Sequence, residues 1–267
     1  MIGVFDSGVG GLTVLKDIHK KLPDYSTIYL GDNAHSPFGT KTHDEITEYT
    51  WAGVQWLFDQ GCYLVILACN SASAQALRTI QQTKLSEYPG RRVLGVIRPT
   101  VELLAKKYEQ IGVLATPATV CSEAYVHELK KINQAVRIEQ HSCPAWVEVV
   151  ESGSSNTEVA NSIIQKDIDQ LLSQSSELEA VLLGCTHYPV LFNQIREVLP
   201  KNIALYAQGE LVALSLIDYL KRHSEIEEKL EKTSLRQYFT TGEITEVEKA
   251  ASQIAGLSPN FQKVDLN

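Results

Sequence analysis

The sequence predicts an α/β fold made of two similar α/β sandwich lobes, whose mostly parallel sheets face a central cleft. Strand-like apolar runs alternate with helical patterns along the chain, which is typical of crossover units around a parallel sheet. Residues 111–116 also resemble residues 2–7, and the run that ends at Cys185 resembles the run that ends at Cys69. The two matches have nearly the same separation, so we predict two lobes that each carry one cysteine.

The elements of the first half follow from apolar spacing and capping signals. Residues 42–45 read Thr-His-Asp-Glu, which is a capping box and predicts a helix that runs to about Gln60. Pro99 suits the first turn of another helix. The predicted elements are a strand at 2–5, a helix at 12–22, a strand at 27–30, a helix at 42–60, a strand ending at Cys69, an alanine-rich helix at 72–82 and a strand at 92–97.

The second half continues the same alternation and then returns to the first lobe. The predicted elements are strands at 110–114 and 180–184, a helix at 211–222, a charged stretch at 225–232, a strand at 237–240 and a last helix from Thr245. We predict that residues 1–97 and 208–267 form the first lobe, which carries Cys69. Residues 98–207 are predicted to form the second lobe, which carries Cys185.

Composition limits the classes of function that the chain can have. Its 267 residues carry a formal charge of -8 without a basic block, which argues against nucleic acid and anionic membranes as partners. No apolar run approaches the roughly 18 residues that cross a bilayer. The five cysteines include no C-x-x-C pair, so neither a disulfide framework nor a thiolate zinc site is indicated. We therefore expect a cytoplasmic protein with reduced thiols and a small-molecule ligand.

Cys69 and Cys185 are the strongest catalytic candidates, because each stands where a buried strand ends and small or polar residues begin. Ligands of α/β folds bind at the carboxyl ends of strands, so both thiols are expected to face one cleft. A pKa lowered from about 8.5 to about 7 at a helix start would stabilise the thiolate by about 2 kcal/mol. Each thiol is then a usable base, with Asp6 and His187 placed to exchange protons beside them. Cys62, Cys121 and Cys143 are expected to be packing residues.

Asp6 opens a glycine-rich turn between the first strand and the first helix, Asp6-Ser7-Gly8-Val9-Gly10-Gly11. Free backbone N–H groups in such a turn can hold a carboxylate or a phosphate at the helix N-terminus. The turn is not a dinucleotide fingerprint, because Thr13 stands where G-x-G-x-x-G requires its third glycine. A tight turn that lets the strand and the helix approach each other is the alternative interpretation, and it stays open.

Two further segments place polar groups after predicted strands. Residues 31–39 contain Asp32 and His35, which by themselves indicate only a turn. Residues 143–153 carry Glu148 and Glu151, three positions apart on a predicted short helix, so the two acids can share a face. An exposed acidic pair explains this spacing equally well.

With these motifs the chain resembles, over nearly its whole length, the glutamate racemases of the cofactor-independent aspartate/glutamate racemase superfamily. The two cysteine motifs are the most specific part of the resemblance. The histidine after Cys185-Thr186 separates the pattern from aspartate racemases, which usually carry an acidic residue there. The matching segments are Ile2-Gly3-Val4-Phe5-Asp6-Ser7-Gly8-Val9-Gly10-Gly11-Leu12, Gly31-Asp32 through Pro37-Phe38-Gly39, Ala68-Cys69-Asn70-Ser71-Ala72-Ser73, Gly95-Val96-Ile97, Leu183-Gly184-Cys185-Thr186-His187-Tyr188-Pro189 and Phe239-Thr240-Thr241-Gly242.

The resemblance implies two lobes around a closed cleft and a homodimeric enzyme that needs no pyridoxal phosphate, metal or other cofactor. It implies D-glutamate supply for peptidoglycan, with Cys69 and Cys185 as the catalytic acid and base. Asp6, His187 and Glu151 would assist the two thiols. The residues implied for binding glutamate are Asp6, Ser7, Phe38, Gly39, Asn70, Ser71, Thr186 and His187. The chain departs from the family pattern at His35, Phe38, Ser71 and Arg98, where arginine, tyrosine, threonine and an acidic residue are usual.

Racemisation suits this arrangement, because inverting an α-carbon requires a base on one face and an acid on the other. Two thiols on facing lobes supply both groups, and their roles exchange for the opposite enantiomer. Three alternatives remain open: an aspartate or broad-specificity amino-acid racemase, a thiol hydrolase or acyltransferase, and a non-catalytic amino-acid-binding protein. The hydrolase would use Cys185 with His187 and leaves Cys69 without a role.

Overall fold

The computed structural model describes residues 1–266, and its strands build two separate sheets in which all neighbouring strands run parallel. The strands, in chain order, are β1 (Ile2–Asp6), β2 (Thr27–Gly31), β3 (Leu64–Leu67), β4 (Arg92–Gly95), β5 (Gln110–Ala115), β6 (Arg137–Ser142), β7 (Ala180–Gly184), β8 (Ala204–Tyr206), β9 (Arg236–Thr240) and β10 (Phe261–Lys263).

The two sheets repeat one strand order. The first sheet has the order β10-β9-β2-β1-β3-β4, and the second has the order β6-β5-β7-β8. The pairing register repeats as well, since Ile2 lies opposite Leu64 in the first sheet and Ile111 lies opposite Ala180 in the second. The predicted α/β fold with mostly parallel sheets is confirmed, and the internal similarity seen in the sequence corresponds to β1 with β3 and β5 with β7.

Helices pack against both sheets. In chain order they are α1 (Leu12–Lys21), α2 (His43–Asp59), α3 (Asn70–Gln75), α4 (Leu77–Thr83), α5 (Ile97–Leu104), α6 (Pro117–Cys121), α7 (Ala124–Ile132), α8 (Trp146–Glu151), α9 (Glu158–Gln174), α10 (Phe192–Val198), α11 (Gly209–Arg222), α12 (Ser224–Glu227) and α13 (Ile244–Ala255). Short 3₁₀ turns lie at Asn33–His35, Phe38–Thr40, Leu85–Glu87 and Tyr188–Leu191.

Local capping decides where the helices begin. The predicted capping box is present at α2, where the Thr42 hydroxyl accepts from the Glu45 N–H and the Glu45 carboxylate accepts from the Thr42 N–H. The helix predicted at 72–82 is instead two helices, α3 and α4, separated at Ala76. The first of these starts at Asn70, because Sγ of Cys69 accepts the N–H of Ala72 at 3.4 Å and caps the helix.

The last part of the chain returns to the first sheet. Helix α11 packs against α1, β9 pairs with β2, and β10 follows β9 at the sheet edge. The chain therefore leaves the first sheet after β4 and enters it again at β9, while β5 to β8 form the second sheet. The predicted lobe boundaries at residues 97–98 and 207–208 stay a proposal. Along residues 1–266, no helix combines the length and the apolarity that crossing a membrane requires.

Candidate active site

Four loops from the carboxyl ends of the central strands meet between the two sheets. The order in which the chain adds strands reverses between β1 and β3 in the first sheet and between β5 and β7 in the second. Open α/β sheets bind ligands at such reversals. The loops that follow these strands carry Asp6-Ser7, Cys69-Asn70-Ser71, Thr116 and Cys185-Thr186-His187. The structure thus brings both predicted thiol segments to corresponding positions.

Cys69 is buried at the start of α3, with 5% of its surface exposed. Its Sγ–H donates to the Ser7 hydroxyl at 3.4 Å. Burial raises the pKa of the Cys69 thiol to about 12, and the charges of Asp6 and Cys185 add to this rise. The prediction that the helix start lowers this pKa is therefore wrong for Cys69, because loss of water outweighs the hydrogen bonds from Ser7 and the Ala72 N–H.

Cys185 belongs to a chain of three side chains that runs from its buried thiol through buried His187 to the partly exposed carboxylate of Glu151. Its Sγ lies 3.9 Å from Nδ1 of His187, and Nε2 of the same ring lies 2.9 Å from Oε1 of Glu151. Burial acts to lower the pKa of His187, but hydrogen bonding to Cys185 and Glu151 outweighs it and raises the pKa to about 10. These contacts favour the imidazolium form of His187, whose Nδ1 lies beside the Cys185 sulfur.

Asp6 connects the first lobe to the Thr186 loop. Its carboxylate accepts the N–H of Gly8 at 3.0 Å and the hydroxyl of Thr186 at 3.4 Å. Burial raises the pKa of Asp6, although His187 and the N–H groups of Gly11 and Gly8 act in the opposite direction. A raised pKa in a buried carboxyl is common at sites that move protons.

The glycine-rich turn lets two loops approach closely. A Cβ on Gly10 would lie 2.4 Å from Oγ1 of Thr186 and 2.6 Å from Nδ1 of His187, closer than such atoms can approach. Oγ1 of Thr13 also donates to the backbone carbonyl of Thr186 at 3.0 Å. Gly10 therefore makes room for the Thr186-His187 loop. The close approach of strand and helix lies at Gly11, whose Cβ would be 2.6 Å from Cβ of Asp6, and this supports the tight-turn interpretation.

A closed ring of three hydrogen bonds links Asn70 to the second lobe. The Asn70 amide donates to Oε1 of Gln208 at 2.6 Å, the Gln208 amide donates to the Tyr125 hydroxyl at 2.7 Å, and that hydroxyl donates to Oδ1 of Asn70 at 2.6 Å. Sequence reasoning missed Tyr125 and Gln208, because neither lies in a motif and each is far in sequence from the cysteine segments. Only the contact between lobes identifies them.

The remaining predicted residues lie at different depths. Ser71 shares a hydrogen bond of 3.0 Å with Thr116, and Gly39 packs against the Thr116 side chain. Phe38 is buried in the core, and the centroid of its ring lies 6.2 Å from that of Phe5. Among the described residues, metal-ligating side chains converge at His141, Cys143 and Asp167, outside this site.

Comparison with known proteins gives one consistent result. Residues 2–216 match the family model described as Asp/Glu/Hydantoin racemase. A glutamate racemase of Jannaschia sp. (strain CCS1) is 41% identical over 275 residues, which cover 98% of this chain and 99% of that protein. The crystal structure of glutamate racemase isoform RacE1 from Bacillus anthracis aligns with a TM-score of 0.90 at 31% identity, covering 100% of this chain and 97% of that one. A glutamate racemase from Francisella tularensis, in complex with D-glutamate, aligns with a TM-score of 0.89 at 27% identity and the same coverage.

Proposed function

Since this chain belongs to the Asp/Glu/hydantoin racemase family and is an isomerase, we propose that it interconverts L- and D-glutamate by proton transfer between two cysteines. The observation that carries this proposal is the placement of the buried thiols of Cys69 and Cys185 after the corresponding strands β3 and β7. Hydrogen bonds join both cysteine loops to the same turn, which supports a cleft shared by the two thiols: Sγ of Cys69 donates to the Ser7 hydroxyl, and the neighbouring Asp6 carboxylate accepts from Thr186.

The two thiols start in opposite protonation states in this proposal. Burial and the charge of Asp6 keep Cys69 as a neutral thiol. We therefore assign the role of base to Cys185, which lies beside the His187 ring. The Cys185 thiolate then removes the α-proton, so the C–H bond breaks and an S–H bond forms. Cys69 gives its own proton to the opposite face of the carbon. The roles exchange for the other enantiomer.

The intermediate carbanion needs stabilisation, because an α-proton of an amino acid is a weak acid. The closed lobes exclude water, which strengthens every charge and dipole in the site. The buried His187 ring, whose contacts favour the imidazolium form, supplies one such charge. Fixed donors of this kind commonly contribute about 3 kcal/mol each to transition-state stabilisation.

Hydroxyl groups from both lobes supply contacts for the amino acid. Ser7 and Ser71 come from the first sheet, and Thr116 and Thr186 come from the second, and all four are buried. A hydroxyl both donates and accepts, so the group suits carboxylates as well as an ammonium. Asn70 already uses its side chain in the ring with Tyr125, which leaves its backbone N–H for substrate.

Glutamate is the substrate supported best, because the relatives named above are glutamate racemases and the position after Thr186 holds a histidine. These relatives are bacterial, and we propose that D-glutamate made here supplies peptidoglycan synthesis and thereby cell shape. We also propose a cytoplasmic location, with the enzyme assembled as a homodimer.

The proposed function is tested by incubating purified protein with L-glutamate in deuterium oxide without added cofactor. Optical rotation should fall toward zero, and deuterium should enter the α-position; D-glutamate should give the mirror-image time course. Activity on L-aspartate with silence on glutamate would overturn the proposed substrate. Silence on every amino acid would overturn the racemase function itself.

A further inference from the structure

The second lobe holds a cluster of metal-ligating side chains that the proposed reaction does not use. His141 lies in β6, Cys143 follows that strand directly, and Asp167 lies on α9, which packs against β6. One ligand atom from each residue, the imidazole nitrogen, the sulfur and a carboxylate oxygen, lies within 4.8 Å of the other two. Over residues 1–266 this is the one group of three such side chains that converges.

The distances suit a tetrahedral ion. Nε2 of His141 lies 3.0 Å from Oδ1 of Asp167. Two such ligands, each about 2.1 Å from zinc, lie about 3.4 Å apart at the tetrahedral angle. The Cys143 sulfur lies within 4.8 Å of both of these atoms and would complete the site with a sulfur bond of about 2.3 Å.

A neighbouring donor already orients the carboxylate. Nε1 of Trp146 donates to Oδ2 of Asp167 at 2.6 Å, so Oδ1 is the oxygen that faces His141. Hydrogen bonds of this kind fix the ligands of known metal sites. Cys143 is fully buried, but the side chains of His141 and Asp167 are 15% and 12% exposed, so an ion can reach the cluster from one side.

We propose that His141, Cys143 and Asp167 bind one divalent cation of the zinc class, with water as the fourth ligand. Thiolate, imidazole and carboxylate are ligands that zinc accepts together. When the ion binds, the Cys143 S–H bond breaks, its proton passes to water and a bond from sulfur to the metal forms. The two anionic ligands then balance the charge of the divalent ion. Sequence spacing did not indicate this site, because Asp167 lies on a separate element from Cys143.

The test uses Co²⁺ as the probe in chelator-treated, full-length protein. The background is the Cys69→Ser/Cys185→Ser double variant, because the catalytic thiols could also take up the metal. Titration should give one equivalent of Co²⁺ per chain, with a thiolate-to-cobalt charge-transfer band in the near ultraviolet. Adding Cys143→Ser should abolish this band, whereas adding Cys62→Ser, which removes a buried thiol elsewhere, should leave it unchanged.

A second variant covers the case in which Cys143→Ser fails to fold. His141→Ala removes a partly exposed ligand, and it should weaken Co²⁺ binding about tenfold or more while circular dichroism stays unchanged. Zn²⁺ should also raise the Tm of the background protein and leave the Tm of the His141→Ala protein unchanged. Absence of the band in the background protein, its persistence after Cys143→Ser, or an unchanged affinity after His141→Ala would each overturn the proposal. None of these readouts depends on racemase activity.

Discussion

The His187 ring holds two partners at once: Nε2 lies 2.9 Å from Oε1 of Glu151, and Nδ1 lies 3.9 Å from Sγ of Cys185. Glu151 is the last residue of α8, and Cys185 directly follows β7. A partly exposed carboxylate is thus connected through a buried imidazole to a buried thiol. This relationship sets the charge of His187 and leads to the first prediction.

Glu151→Gln should lower kcat/KM about tenfold and narrow the pH range of activity. Burial alone lowers the pKa of His187, and hydrogen bonding to Cys185 and Glu151 raises it to about 10. Removing the Glu151 charge lowers this pKa, so the imidazolium loses its proton at a lower pH. The basic limb of the pH–rate profile therefore shifts to lower pH, and a change of one pKa unit corresponds to about 1.4 kcal/mol. Glu148→Gln on the same helix is the control and should keep the parent profile. An unshifted basic limb in Glu151→Gln would contradict the assignment.

Cys69→Ser and Cys185→Ser should each lower turnover of both enantiomers about a thousandfold, because a serine hydroxyl is a much weaker acid than a thiol. Steady-state rates in both directions measure this effect. Cys121→Ser, which changes an exposed thiol on α6, serves as the control and should retain the parent rate. Near-normal turnover by either catalytic variant would remove that cysteine from the mechanism.

Gly10→Ala should reduce kcat/KM about tenfold or more, since its Cβ would lie 2.4 Å from Oγ1 of Thr186 and would force that loop away. Overpacking of this kind typically costs about 1–3 kcal/mol. Gly8→Ala lies in the same turn, and its Cβ would meet its nearest neighbour, Oγ of Ser36, at 3.3 Å, so a much smaller effect is expected. Kinetics with both variants, alongside urea unfolding, would decide the matter; equal losses would contradict the steric argument.

Tyr125→Phe should destabilise the protein by about 1–3 kcal/mol, because Oδ1 of Asn70 and the Gln208 amide would both lose a buried partner. We expect KM to rise as well, since Asn70 follows Cys69 directly. Tyr108→Phe removes a hydroxyl that bonds to Tyr206 near the surface, and its effect should stay below about 0.5 kcal/mol. Urea unfolding of both variants measures the difference. A cost for Tyr125→Phe no larger than the cost for Tyr108→Phe would show that the ring contributes little.

Much of the fold was predictable because strands and capping signals are local. The apolar runs that end at Cys69 and Cys185 became β3 and β7, and the capping box at Thr42 formed as expected. The internal similarity also predicted two lobes, and the shared strand order and register of the two sheets agree with it.

Other properties depend on contacts that the local sequence does not contain. The pKa of Cys69 is set mainly by burial and then by the charge of Asp6, so a local helix-start argument gave the wrong direction. Tyr125 and Gln208 acquire their roles only when α7 and the start of α11 meet Asn70. Their side chains carry no spacing signal, and only assembled lobes bring them together.

The chain crosses between the sheets twice, once after β4 and again before α11. Two adjacent covalent links define an axis and resist sliding or twisting of one half against the other. Entry of an amino acid would then require one lobe to rotate relative to the other about that axis. Each closure would return the Cys69 and Cys185 loops to the same positions.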